Sequence, residues 1–251
     1  MNIIAITPFT GDENLVAMTE RCIKQFIQSE MPVGVHVRII AVNNKASRSL
    51  NLEELNKIAQ DTSPAFEKIE ELPGDENYGF GVGVNRGIDY ALISERYPCD
   101  QLLIFNNDLE FDWQKEWLLQ LLREVEGAYV LSPRTDITAT VEACHIKPDD
   151  KPSQRVQEVS AFCWLVPRRV VQAIDVRWGF PLFCPQFTNY GSDDATAAIL
   201  RKLYGDTPFK VVHRAWVRHL KARTANQLHI KAGTSELLKE LRTWKKANKL
   251  T

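Results

Sequence analysis

Apolar positions along the first half of the chain switch repeatedly between two periods. Asn2 to Thr7 is a short β-prone run closed by Pro8 and predicts a first strand. Leu15 to Gln28 carries apolar residues at 15, 16, 18, 23, 26 and 27, close to helical spacing. His36 to Val42 reads as a second strand followed by the polar stretch NNKAS. Leu52 to Ala59 reads as a helix, Phe66 to Leu72 as a short strand and Gly87 to Tyr97 as a helix. Leu102 to Phe105 is apolar throughout, as a strand buried on both faces would be. A helix over Gln114 to Glu126 follows. Strand and helix alternate, which implies a parallel α/β sheet with helices on both faces.

The second half is less regular. Tyr129 to Ser132 and Val159 to Val166 read as strands, the latter buried and ended by Pro167, with a turn-rich loop over Lys147 to Ser153 between them. Trp178 to Tyr190 mixes aromatics, prolines and a glycine, and suits a mobile loop over a pocket. Asp193 to Tyr204 predicts a helix, Phe209 to Val217 a late strand and Ser235 to Lys249 a final basic amphipathic helix. With no repeat, low-complexity segment or linker, residues 1–251 are expected to form one domain.

The chain has 251 residues, 44% of them hydrophobic, so it can bury a substantial core. It holds no apolar run near the roughly 18 residues that span a bilayer. MNIIAITPFT has no basic region and no long apolar segment, so no signal peptide is expected. Cys22, Cys99, Cys144, Cys163 and Cys184 are odd in number and far apart, against a disulfide framework or a C-x-x-C zinc site. A reducing, cytoplasmic setting follows. The net charge of −1 conceals an asymmetry: residues 201–251 hold 13 Lys or Arg against 3 Asp or Glu, while the rest carries a net −11. A basic end on an acidic body suits an anionic partner, or equally a solvated helical face.

Three segments carry candidate chemistry. LLIFNND ends a buried strand in Asn106, Asn107 and Asp108; these residues favour turns, and an Asp at the edge of a parallel sheet can also hold a metal. In NYGFGVGVNRGIDYA, glycines at 79, 81, 83 and 87 let the backbone approach a ligand or take positive φ. Their spacing is not the dinucleotide fingerprint, and no Gly-Lys-Ser/Thr follows. Asp193 and Asp194 are adjacent carboxylates opening a helix, able to cap it or to act as a general base.

Together these segments resemble glycosyltransferase family 2. That family often shows N-x-G-F-x-x-G-x-N-x-G-I, then a strand ending L-L-x-N-x-D, then an acidic pair opening a helix, then a strand-end histidine. Here Asn77, Gly79, Phe80, Gly83, Asn85, Gly87 and Ile88 are followed by Leu102, Leu103, Asn106 and Asp108, by Asp193, Asp194 and Gly205, and by His219, with His213 as a competitor. The match runs in order from residue 3 to about residue 220.

The resemblance implies a GT-A fold: a mostly parallel central sheet flanked by helices, with a Rossmann-like nucleotide-sugar-binding half (1–110), an acceptor-binding half (111–220) and a basic helical extension (221–251). It implies an inverting hexosyl- or pentosyltransferase that uses Mn²⁺ or Mg²⁺ and a nucleotide diphosphate sugar, UDP by default. Asp108 and His219 would hold the metal, with Asn106 where the family's D-x-D motif has its first Asp and Asn107 between them. Asp194 would be the base, and Asp193 would orient the acceptor or the loop. Thr7, Pro8, Phe9 and Asn43 would form the nucleotide pocket with Asn77, Gly79, Phe80 and Asn85. Asn43 stands where the family usually has Asp; an amide both donates and accepts, so thymidine, cytidine and guanosine carriers stay open.

The acceptor would be a glycan, a lipid-linked glycan or a modified DNA base. The last helix could meet an anionic membrane, meet nucleic acid, or simply pack. Trp178, Phe180, Phe183 and Phe187 could stack on a sugar or base, or fill a core. A sugar-phosphate nucleotidyltransferase is the first alternative, disfavoured because TPFTGDEN has one glycine and no lysine. A binding module without catalysis is the second.

Overall fold

The computed structural model describes residues 1–92, 97–135, 151–188, 190–220 and 235–250. Three crossovers lay down the first half: β1 (Asn2–Gly11), α1 (Glu13–Ile27), β2 (His36–Ala46), α2 (Leu52–Thr62), β3 (Phe66–Leu72), α3 (Gly79–Leu92) and β4 (Gln101–Phe105). The strands pair in parallel in the order β3-β2-β1-β4. Then come β5 (Leu109–Glu110), α4 (Trp117–Leu122), β6 (Val130–Arg134), β7 (Ser153–Val156), β8 (Cys163–Pro167) and α5 (Arg168–Trp178). The described chain ends with α6 (Ser192–Tyr204), β9 (Phe209–Trp216), β10 (Arg218–His219) and α7 (Ser235–Ala247). The eight-stranded sheet runs β3-β2-β1-β4-β8-β6-β9-β7, and β5 pairs with β10 beside it. The β8 strand is antiparallel to β4 and β6, and β7 to β9, so the wholly parallel sheet of the alternation argument becomes mixed but mostly parallel.

The core follows the apolar periods. Phe26 of α1 packs its ring against Phe66, Phe105, Phe111 and Trp117, tying α1 to β3, β4 and α4. Asp12 caps α1 by accepting from the main-chain N–H groups of Asn14 and Leu15. Among the described residues no helix is long and apolar enough to cross a membrane. Cys22, Cys99, Cys163 and Cys184 are buried free thiols; burial pushes the Cys99 thiol up to about 12, so it is poorly nucleophilic. Cys144 lies outside the described residues.

Several boundaries differ from the sequence expectation. The β1 strand runs through Pro8 to Gly11: its pairing with β4 stops at Ile6, so beyond that it has only β2 as partner and the missing N–H breaks no ladder on the other side. The β2 strand likewise takes in Asn43 to Ala46. Helix α3 starts at Gly79, eight residues before the expected Gly87; the expected end over 93–96 lies outside the described residues, as do positions 147–150 of the expected loop. Helix α4 is half the expected length. Gln114 donates from Nε2 to the Arg214 carbonyl and accepts the Trp216 N–H at Oε1, which ties the start of that segment to β9. Helix α5 was not expected at all. The mobile loop over a pocket is instead packed: Leu182, Phe183, Cys184 and Phe187 are buried. Phe183 lies against Trp164 and Phe80, and Phe187 against Trp244, so these aromatics fill a core.

Candidate active site

The C-terminal ends of β1, β2 and β4 lie at one edge of the parallel sheet, where ligands bind, with β1 and β2 running on past the end of β4. Immediately after β4, Asp108 is buried, with Oδ1 3.2 Å from Nε2 of His219. Pairing of β5 with β10 sets this contact: His219 stands opposite Leu109, and the Leu220 N–H donates to the Asp108 carbonyl. Asn106 brings Nδ2 to 3.3 Å from the same His219 nitrogen, and its N–H donates to the Phe162 carbonyl. The Phe162 ring stacks on the imidazole at 5.7 Å and 19°.

The Asn106 Oδ1 is buried with no hydrogen-bond partner. Buried amide oxygens rarely stay unpaired, and a half-turn of the amide exchanges its oxygen and nitrogen. With that half-turn the amide oxygen would join the Asp108 carboxylate at the His219 imidazole. The set fits Mg²⁺ or Mn²⁺, and carries one negative charge where two carboxylates would carry two. His213, the competing histidine, is fully buried in β9 and donates from Nδ1 to the Lys151 carbonyl. Asn107 turns the other way, donating to Thr19 Oγ1 of α1 at 3.0 Å.

Across the strand ends, the predicted nucleotide residues divide. Thr7 is buried with an unpartnered Oγ1, and Pro8 lies under Gly83 of α3. Phe9 is a core residue whose side chain does not reach the surface. Asn43 donates from Nδ2 to Glu71 Oε1 and accepts the Ala46 N–H, which leaves one N–H and one lone pair for a base. Asn77 accepts the Gly79 N–H, and Gly79 takes φ 75° to open α3. Asn85 spends its amide on the main chain of Phe183, donating to its carbonyl at 2.6 Å and accepting its N–H at 2.9 Å. It anchors the 182–187 segment, and Phe80 packs edge-on against the Phe183 ring there. Gly83 and Gly87 approach protein rather than open space, against Asn44 and Pro8 and against Ile6 and Val42 respectively.

At the start of α6, Asp193 accepts the Ala161 N–H at Oδ2 (3.4 Å) and the Asp194 N–H at Oδ1 (3.1 Å). Burial, with the neighbouring Asp194 charge, pushes its carboxyl up to about 6. Asp194 is half-buried, and burial raises its carboxyl too, opposed by Lys245. Ala161 thus holds Asp193 while the next residue, Phe162, holds Asn106 and His219. Consecutive Cα atoms are about 3.8 Å apart, so the two acidic groups share one mounting.

The sequence did not point to three neighbours. Asn44 is buried, donates to the Gly79 carbonyl and leaves Oδ1 unpartnered. Lys45 takes φ 61°, a conformation that usually calls for glycine. Arg86 lies over the Tyr78 ring with Nη1 buried and unpartnered. The second Asn of NNKAS was visible as a signal; nothing in the pattern marked the other two.

No protein-family model and no curated protein matches the sequence. Solved structures do. The mannosyltransferase PcManGT of Pyrobaculum calidifontis, in complex with GDP-Man and Mn²⁺, is similar over 91% of this chain and 59% of its own, at TM-score 0.60 and 13% identity. S. aureus TarS 1–349 matches over 87% of this chain and 60% of its own, at TM-score 0.54 and 12% identity. Glucosyl-3-phosphoglycerate synthase of Mycobacterium tuberculosis, with Mn²⁺, UDP and phosphoglyceric acid, matches over 91% and 73%, at 0.52 and 12%. The chain spans about three fifths of the first two. Strand order, sheet edge and these likenesses agree: the chain has the GT-A fold.

Proposed function

We propose that this chain is an inverting, metal-dependent glycosyltransferase of family 2 that moves a sugar from a nucleotide diphosphate to an acceptor hydroxyl. One observation carries the reading: Ala161 and Phe162 hold the Asp193–Asp194 pair and the Asn106–Asp108–His219 cluster side by side at the sheet edge. The transfer needs a diphosphate leaving group and a general base on opposite sides of the sugar, and this mounting brings candidates for both to one edge. The fold neighbours that hold GDP-Man or UDP with Mn²⁺ add support for the donor class.

Asp194 is the base in this reading. Among the described residues its carboxylate has no hydrogen-bond partner, whereas both oxygens of Asp193 are occupied. Asp194 takes the acceptor's hydroxyl proton as the acceptor oxygen bonds to the anomeric carbon, and the bond from that carbon to the diphosphate breaks with its electron pair. Attack from the face opposite the diphosphate inverts the centre. Asp193, fixed by Ala161, positions its neighbour. Asp108, His219 and Asn106 would hold Mn²⁺ or Mg²⁺, which when bound supplies positive charge to the diphosphate oxygens. Thr7, Asn43 and Asn44 line the nucleoside end, with UDP the first carrier to test.

Calorimetric titration of UDP, dTDP, CDP and GDP, each with and without Mn²⁺, tests the donor site. A preference that requires Mn²⁺ is expected. Asp194→Asn should keep that binding and lose transfer by about 10³-fold, on the scale of removing a general base. Full turnover in the variant would sink the base assignment, and metal-independent binding would favour a module without catalysis.

A further inference from the structure

The last helix was left with three readings, and its packing decides among its residues. Leu237, Leu241 and Trp244 form one stripe on α7, and Leu241 is buried with Cys184, Phe187 and Ala195. Leu237 also approaches Gly191, directly before α6, and Glu240 Oε1 accepts from Gln186 Nε2 at 2.8 Å. The apolar face that could have entered a membrane is thus spent on the loop and on the first turn of α6. Leu238, half-exposed, is the one large apolar side chain of the helix left outside.

That docking aims one cation at the acidic pair. Residues four apart share a helix face, so Lys245 extends the Leu237–Leu241 stripe by one turn. Leu241 shares one buried cluster with Ala195, and Ala195 follows Asp194. Of the five basic residues of the final segment, Lys239, Arg242, Lys246 and Lys249 are exposed and only Lys245 is half-buried. The charges around Asp194 are Lys245, Glu158 and Arg201. Arg201 is paired with Glu158 at 3.5 Å, while Lys245 has no ion pair among the described residues.

We propose that Lys245 is an anion-binding subsite on the acceptor side of the acidic pair, and that the acceptor carries a phosphate or carboxylate close to its reacting hydroxyl. This rests on the reading of Asp194 as the base. An unneutralised ammonium beside a base is counterproductive while it stays unpaired, because it holds the carboxylate in its charged, less basic form. An acceptor anion that pairs with Lys245 removes that effect, so acceptor binding itself strengthens the base. The same anion places its neighbouring hydroxyl over Asp194, since the two side chains share one helix contact. A neutral acceptor would do neither.

The test uses the full chain with Mn²⁺ and the nucleotide diphosphate it binds best, titrated with glycerol 3-phosphate, glycerate and glycerol. Glycerol 3-phosphate or glycerate should bind at least about tenfold more tightly than glycerol, and Lys245→Gln should remove that advantage, as loss of one partner of a charge pair does. Comparison of the two anionic probes separates a phosphate from a carboxylate. Lys246→Gln removes the same charge from an exposed position and should leave probe binding unchanged. Nucleotide binding, measured on each variant, reports that it is folded. Equal binding of all three probes, or equal weakening by both substitutions, would overturn the subsite. If nucleotides bind with Mn²⁺ but Lys245→Gln has no effect, the subsite fails and the transferase reading stands. If nucleotides do not bind but the anionic probes still require Lys245, the reverse holds.

Discussion

Asp193 and Asp194 are neighbours in sequence with different surroundings. Both oxygens of Asp193 accept from main-chain N–H groups, and among the described residues neither oxygen of Asp194 does. Burial raises both carboxyls, Asp193 to about 6, and adjacent carboxylates titrate as a pair. A base must be ionised to work, and burial raises the Asp194 carboxyl, so transfer should be lost on the acid side at a pH above the usual carboxylate range. Asp193→Asn removes the carboxyl that burial and the Asp194 charge push up to about 6, so a step near pH 6 in the kcat/KM profile should vanish while the acid limb of Asp194 stays. A step near pH 6 that survives the substitution would mean that it does not belong to Asp193. The stability sign is the opposite: a raised carboxyl favours the fold most below about pH 4 and loses that contribution as pH rises through about 6. At this scale the sequence singled out the acidic pair, Asp108 and His219, and the structure brings the last two into contact. It could not see that Asn85 is committed to Phe183, because nothing local announces a partner 98 residues away.

Helix α3 shows how far periodicity reaches at the scale of elements. Its glycines read as a ligand loop or as positive-φ positions; Gly79 takes φ 75°, while Gly83 and Gly87 serve helix–sheet contact. A Cβ on Gly87 would stand 2.7 Å from Ile6 Cγ2 and 3.0 Å from Val42 Cγ2, both on stiff β-branched side chains. Gly→Ala gains about 1 kcal/mol of helix propensity, but overpacking a filled core costs about 1–3 kcal/mol. Gly87→Ala should therefore destabilise the chain by about 1 kcal/mol in urea unfolding; a stabilised variant would show that α3 can lift off β1 and β2. Helix α5 is the converse case. Pro167 before it, Val170, Val171 and Ile174 at helical spacing and Gly179 in the left-handed conformation after it were all legible start and stop signals. The preceding apolar strand VSAFCWLV masked them.

Across the whole molecule, the site joins distant parts of the chain. Thr7, Asn43 and Asp108 come from the first half, Phe162 and Asp194 from the second, and His219 from near the end of the sheet region. A nucleotide diphosphate held with Mn²⁺ would bridge the strand ends and stabilise them jointly. At 100 times Kd this is worth about 2.7 kcal/mol, or a rise in Tm of about 5 °C or more for a chain of this size. Mn²⁺ alone should give less than about 2 °C, because the protein offers it a single carboxylate. A full shift with Mn²⁺ alone, read by differential scanning calorimetry, would mean a complete protein-only metal site. The charge asymmetry belongs to this scale too. Within the described part of its basic end, the apolar stripe of α7 packs with Ala195 of α6 and Phe187.

The sequence by itself determined the alternating strands and helices of the first half, the strand that ends at Asn106 and the acidic pair that opens a helix. Those follow from local periods and from the chemistry of single residues. Only the tertiary structure decided which histidine meets Asp108, which carboxylate of the pair is held by main-chain N–H groups, what the glycines approach and which lysine lies towards Asp194. Each of these depends on strand register or helix docking between segments far apart in the chain, and no local pattern encodes that choice.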